Sequence, residues 1–159
     1  MRIVAVSGGF DPIHSGHLAM LRQAAALGDR LVVGVNSDAW LTRKKGKPFM
    51  HVEERKGILL AIKWVDSVWE FDDSDGTAYD FLDKVRTYYY TRASEYVFAN
   101  GGDRVESNNA EANAYGWKFL YGIGGSDKKN SSSKLLKDWQ YESSGGDSIN
   151  RFRYITEMY

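Results

Sequence analysis

The chain is 159 residues long, with a formal net charge of +0 and no cysteine. That length suits one domain with a core of its own; the balanced charge argues against a broad basic footprint for duplex nucleic acid, and the missing thiols exclude disulfides, zinc–thiolate sites and cysteine nucleophiles. No stretch approaches the roughly 20 apolar residues of a membrane span, and the start breaks at Ser7-Gly8-Gly9 too early for a signal core, so a cytoplasmic protein with neither nucleic acid nor membrane as partner is expected.

Residues 3–6 form a short β-branched run that ends at glycines, the mark of a buried strand. Residues 17–27 carry Leu18, Leu21, Ala24, Ala25 and Leu27 at helical spacing, with Gly28 placed as a C-cap. Residues 31–35 run apolar without alternation, as strands covered on both faces do. Strand, glycine loop, helix and strand make a βαβ unit with a right-handed crossover. The alternation continues: a helix over 52–62, a strand over 65–71, a helix over 78–89 and a strand over 96–99. A helix is expected over 110–116, a last strand over 117–121, and a helix over 131–139 with Asn130 as N-cap. This pattern predicts an α/β fold: a single Rossmann-like domain, 1–139, with a five-stranded parallel sheet and helices on both faces. Residues 140–159 are polar and aromatic without clear period and read as a C-terminal extension.

In such sheets ligands bind outside the carboxyl ends of the strands. The first of those loops reads Ser7-Gly8-Gly9-Phe10-Asp11-Pro12-Ile13-His14-Ser15-Gly16-His17. Paired glycines admit a phosphate close to the backbone. The N–H groups of the helix that follows favour an anion in the same space. Imidazoles at His14 and His17 can donate to phosphate oxygens and stabilise developing charge. A metal site lacks ligands, since only His51 remains and no thiol is available. The string matches neither G-x-G-x-x-G nor G-x-x-x-x-G-K-[ST]. Arg43, Lys44, Lys45 and Lys47 form a loop of point charges suited to a polyphosphate, or simply a solvated basic loop. Arg55 can grip a phosphate bidentately, or pair on the surface beside Glu53 and Glu54. Asn100, Gly101, Gly102 and Asp103 make a glycine turn at a strand's carboxyl end, and Ser131, Ser132 and Ser133 open a helix as caps or as an anion site.

The string Gly-Gly-Phe-Asp-Pro-x-His-x-Gly-His resembles the HxGH signature of the nucleotidyltransferase superfamily, and especially its cytidylyltransferase-like family. Six further stretches resemble that family in order: Val35-Asn36-Ser37-Asp38, the Lys44 to Pro48 basic loop, Glu53-Glu54-Arg55-Lys56, Val65-Asp66-Ser67-Val68, Asn100 to Asp103, and Ser131-Ser132-Ser133-Lys134. The resemblance implies an enzyme that transfers a nucleoside monophosphate to a phosphorylated small molecule and releases pyrophosphate. The acceptor would be glycerol 3-phosphate or a sugar phosphate, and CTP stands slightly ahead of ATP as donor. It implies catalytic roles for His14, His17, Lys44 and Lys45. Gly8, Gly9, Phe10, Asp11, Gly16, Lys47, Arg55, Asn100, Gly101, Gly102, Asp103, Lys128, Ser131, Ser132 and Ser133 would bind the nucleotide, and Asp38 the acceptor. Mg²⁺ would arrive with the triphosphate, and the protein would form a homodimer. One departure stands out: the family's arginine before the serine helix is absent from Gly124 to Asn130, where Lys128 or Lys129 supplies the charge. That departure motivates the competing reading, a non-catalytic nucleotide-binding module of the same fold. A flavodoxin-like domain would leave both histidines and the serine helix unexplained.

Overall fold

The structure is a computed structural model that describes residues 1–101, 109–124 and 131–145, the last five by backbone alone. Five strands lie in one parallel sheet: β1 (Arg2–Gly8), β2 (Arg30–Val35), β3 (Ser67–Glu70), β4 (Glu95–Ala99) and β5 (Trp117–Leu120). Their order is β3-β2-β1-β4-β5, so the winding reverses between β1 and β4. That reversal opens a crevice at the carboxyl ends of β1 and β4, where this class of sheet places ligands. Register is set by buried runs: Val4 opposes Leu31 on one side and Val97 on the other.

Both faces of the sheet are covered, which is why the strands run apolar without alternation. On one face Val4, Val6, Leu31 and Val33 pack against Leu21 and Ala24 of α1 (Ser15–Ala25) and Leu59 of α3 (Val52–Leu60). On the other, Ile3, Ala5, Val32 and Phe98 pack against Phe81, Leu82 and Val85 of α4 (Tyr79–Tyr88). Gly34 is required there by close approach: a Cβ on it would stand 2.7 Å from the Phe81 ring.

Several local expectations change. The basic loop is a helix, α2 (Asp38–Lys45), capped by Ser37 Oγ, which accepts from the Trp40 N–H at 3.0 Å. It ends at Gly46 with φ of 92°, and its last turn holds Arg43, Lys44 and Lys45, where cations complement the helix dipole. Residues 110–116 form turns and no helix: Asn109 Oδ1 accepts from the Glu111 N–H at 3.1 Å, and Gly116 takes φ of 81°. The C-cap of α1 is Ala26, in helical conformation, and Gly28 serves packing instead, since a Cβ there would lie 2.7 Å from Val4 Cγ2. Ser131 takes the capping role expected of Asn130, its Oγ accepting from the Lys134 N–H at 3.1 Å. The final helix, α5 (Ser132–Gly145), continues unbroken past residue 139. Among the described residues, no helix is long and apolar enough to cross a membrane.

Candidate active site

The β1–α1 loop is built by its aromatic anchor. Phe10 holds φ of 50°, uncommon for a bulky residue, and its ring is 3% exposed in the core. The two glycines before it answer to packing: a Cβ on Gly8 would stand 3.2 Å from the Phe10 ring, and one on Gly9 would stand 3.0 Å from Leu41 Cδ2. Asp11, expected at the nucleotide, is instead a clasp within the protein. Its buried carboxylate accepts from the N–H groups of Phe49 and Met50, both at 2.6 Å, and pairs with Lys45 Nζ at 2.8 Å. A carboxylate so saturated has little left to offer a ligand.

The two histidines form a reciprocal cap at the start of α1, which begins two residues earlier than the apolar spacing suggests. His14 is the N-cap, and its Nδ1 accepts from the Gly16 N–H at 3.1 Å. The His14 N–H in turn donates to His17 Nδ1 at 3.2 Å. The rings stack with centroids 3.7 Å apart, and Phe10 lies 5.0 Å from His17. Because each Nδ1 is an acceptor, each neutral imidazole carries its proton on Nε2. Burial first, and then the charge of His14, push the His17 imidazole down from 6.5 to about 3. His17 is therefore a neutral donor at physiological pH.

Arg55 corrects both of its readings. It is neither a phosphate grip nor a surface ion pair, being 1% exposed. Its Nε donates to Met50 O at 2.9 Å, its Nη1 to Gly9 O at 2.9 Å and Asn36 O at 2.7 Å, and its Nη2 to Asp38 Oδ1 at 2.7 Å. One guanidinium thus ties the ends of β1 and β2, the start of α2 and the entry to α3. Asp38 is half-buried, and burial raises its pKa; the hydrogen bonds and charges of Arg55 and His51 outweigh that and hold it below the ordinary value. Its Oδ2 meets His51 Nδ1 at 3.1 Å.

The lysines separate. Lys45 is committed to Asp11, Lys44 places its ammonium 4.7 Å from the Trp40 ring centroid, and Lys47 is exposed. The residue that sequence reasoning missed is Asp73. Its buried carboxylate accepts from Asn36 Nδ2 at 3.0 Å, the Ser37 N–H at 2.7 Å and Ser37 Oγ at 2.6 Å, so it fixes the turn after β2. Its sequence signal is weak, because Asp72, Asp73 and Asp75 look like one solvated acidic loop.

The far side of the crevice is set by β4 and α5. Asn100 is buried, with its N–H on Leu120 O at 2.7 Å. Gly101 packs edge-on, a Cβ there standing 2.8 Å from Ile123 O and 3.0 Å from Met20 Cγ. Ser132 Oγ donates to Pro12 O at 2.7 Å, across 120 residues of sequence, and so brings the N-terminus of α5 to the histidine loop. Ser133 is exposed. Gly102, Asp103, Lys128 and Lys129 lie outside the described residues.

Known proteins resemble this chain in sequence and in fold. The chain is 37% identical over 119 residues to the bifunctional protein HldE of Pseudomonas syringae pv. syringae, covering 72% of this chain and 25% of that one. It is 35% identical over 127 residues to HldE of Hahella chejuensis, covering 78% and 23%. The chain thus spans about a quarter of the length of these relatives. Among solved structures, the lipopolysaccharide core biosynthesis protein of Thermoplasma volcanium superposes with a TM-score of 0.55 at 22% identity, covering 76% of this chain and 93% of that one. A bifunctional NMN adenylyltransferase/ADP ribose pyrophosphatase of Francisella tularensis, complexed with AMP and a manganese ion, superposes at 0.62 and 16% identity, covering 86% and 41%. These two likenesses speak for the fold alone. The family described as cytidylyltransferase-like matches residues 5–124, and the chain belongs to that family.

Proposed function

We propose that the protein is a nucleotidyltransferase, moving a nucleoside monophosphate from a triphosphate onto the phosphate of a sugar phosphate or similar small acceptor. The observation that carries this reading is the histidine pair at the crevice, tied by its two Nδ1 atoms into the start of α1 with the rings stacked 3.7 Å apart. Family membership supports the reaction class. The similarity to HldE moves the preferred donor from CTP to ATP and favours a sugar phosphate as acceptor.

In the mechanism, an acceptor phosphate oxygen attacks the α-phosphorus. The bond from that phosphorus to the α–β bridging oxygen breaks, and its electron pair leaves with pyrophosphate. A phosphate monoester is already anionic near neutral pH, so the nucleophile needs no general base. Catalysis then rests on positioning and charge stabilisation. His14 and His17 donate from Nε2 to the α- and β-phosphates, and His17, neutral at physiological pH, keeps its proton throughout. Lys44 and Lys47 serve the β- and γ-phosphates, whereas Lys45 holds the loop through Asp11. Among the described residues, no group of three His, Cys, Asp or Glu side chains is placed to hold a metal. A Mg²⁺ arriving with the triphosphate would neutralise phosphate charge. A homodimer belongs to the same proposal, supported by exposed Tyr88, Tyr90, Tyr115 and Trp139, residue types that interfaces favour.

The test is a pyrophosphate-release screen of ATP, CTP, GTP and UTP against glycerol 3-phosphate and a panel of sugar 1-phosphates. Release is expected to be greatest with ATP and a sugar phosphate. His17→Ala should then lower kcat by about 10²-fold or more, the scale of losing one such donor. No release with any pair would leave the non-catalytic binding module in its place.

A further inference from the structure

Among the described residues, Phe10 alone besides glycine takes a positive φ, 50°, and it stands between β1 and the histidine pair. A side chain of this bulk stays in that region only where its surroundings fix it, and such residues cluster at functional sites. The ring is not offered to a ligand. It is 3% exposed and shares a core cluster with Val6 and Leu21. It also lies over Gly8, where a Cβ would stand 3.2 Å from Phe10 Cε2 and 3.4 Å from Cζ. Its aromatic neighbour is the His17 imidazole, at 5.0 Å between centroids and 58° between planes. His14 meets the same imidazole at 3.7 Å and 28°. His17 is therefore in contact with two rings, and one of them is held by an unusual backbone.

We propose that Phe10 is a positioning residue: its backbone conformation brings the phenyl ring against His17 and so sets the plane of that imidazole and the direction of its Nε2–H. The effect on turnover rests on His17 being a phosphate donor, the role proposed above. Two physical effects support the inference. The hydrogen bond from the His14 N–H at 3.2 Å fixes only the Nδ1 of His17, and the χ2 torsion of a histidine is broad, so ring contacts must choose its plane. Apolar contact also keeps water from the imidazole: burial is the larger of the two causes that depress its pKa, and the charge of His14 is the smaller. Asp11, next to Phe10 in the chain, has its carboxylate committed to Phe49, Met50 and Lys45.

The experiment is nuclear magnetic resonance of the histidine side chains in the ligand-free protein, alongside steady-state kinetics of pyrophosphate release. The variants are Phe10→Leu and Phe10→Met, which keep apolar bulk without a ring. In the parent, His17 is expected to show the Nε2–H tautomer alone and nuclear Overhauser contacts to the Phe10 ring. It should not titrate between pH 7 and 4.5, since its folded pKa is about 3. In the folded variants both tautomers should appear. The His17 midpoint should rise by about one pH unit or more, about ten-fold in proton affinity. The kcat should fall about ten-fold, short of the loss expected of His17→Ala, with the acceptor KM unchanged. Variants with a lowered unfolding midpoint but the parental His17 tautomer and titration would mean that the ring only fills the core, and the proposal fails. A parent that shows both tautomers of His17 would overturn it without any variant. Absence of pyrophosphate release with every pair sinks the enzymatic reading instead, and the histidine spectra still decide the role of Phe10.

Discussion

The guanidinium of Arg55 is buried to 1% exposure, yet it donates four hydrogen bonds, three to carbonyls and one to a carboxylate. Glu53, Glu54 and Lys56 around it are ordinary surface residues of α3, and from such neighbours an arginine reads as solvated. What buries it is the meeting of the Gly9, Asn36 and Met50 carbonyls, three points far apart in the chain. A buried charge with every partner in place is tolerable; removing one side leaves the rest unpaired. Arg55→Met should therefore cost about 3–5 kcal/mol, read as a lowered urea midpoint at unchanged m-value. A loss under about 1 kcal/mol would mean that water or neighbouring groups satisfy those carbonyls. Asp11 and Asp73 follow the same logic: the Asp11 carboxylate accepts from the Phe49 and Met50 N–H groups, and that of Asp73 from the Ser37 N–H and hydroxyl and the Asn36 amide. The histidine pair differs, since its reciprocal cap uses only the Nδ1 atoms. His14 and His17 were legible as a pair because their spacing and glycine context sit on one short loop. The acidic clasps were not, because their partners lie 30 to 40 positions away.

Helix α2 was hidden for a different reason. Its only buried apolar residue is Leu41, so hydrophobic spacing carries no helical period there. The signals that do mark it are polar: Ser37 as cap, Asp38 in the first turn, cations in the last, and Gly46 at the end. By contrast, α1, α3 and α4 are visible from their apolar spacing to within two residues at most boundaries. Glycines separate two kinds of element contact. Gly34 lies where β2 meets α4, and a Cβ would stand 2.7 to 2.9 Å from three atoms of the Phe81 ring. Gly57 lies inside α3 with nothing within 4 Å. Gly34→Ala is expected to destabilise by about 1–3 kcal/mol through overpacking. Gly57→Ala is expected to stabilise by about 0.5–1 kcal/mol through helix propensity. Chemical denaturation of both variants checks the pair, and equal effects of one sign would contradict the assignment of α3 and its exposed face.

Acid stability belongs to the whole molecule, because folding is what keeps His17 unprotonated. Its folded pKa is about 3, against 6.5 for the free side chain. Between those values the unfolded chain binds a proton that the folded one refuses, so stability rises with pH there and falls as pH drops below about 6.5. Asp38 adds a loss of the same sign at lower pH, since its folded pKa also lies below its ordinary 3.8. Unfolding free energy measured at pH 7, 5.5 and 4.5 should decline steadily, and His17→Asn should flatten the decline between 5.5 and 4.5. An unchanged slope in that variant would remove His17 as its source.

The sequence by itself determined the α/β class, the parallel sheet and the family, because apolar spacing and a contiguous glycine–histidine string are local information. The tertiary structure alone decided which charges are paired within the protein. Asp11, Arg55, Lys45 and Asp73 bear the residue types of a binding site, but pairing and burial turn them inward. Lys44 lies over the Trp40 ring on a helix that apolar spacing does not reveal. A side chain's charge is written in the sequence, whereas its partner is set only when distant backbone ends come within hydrogen-bond reach.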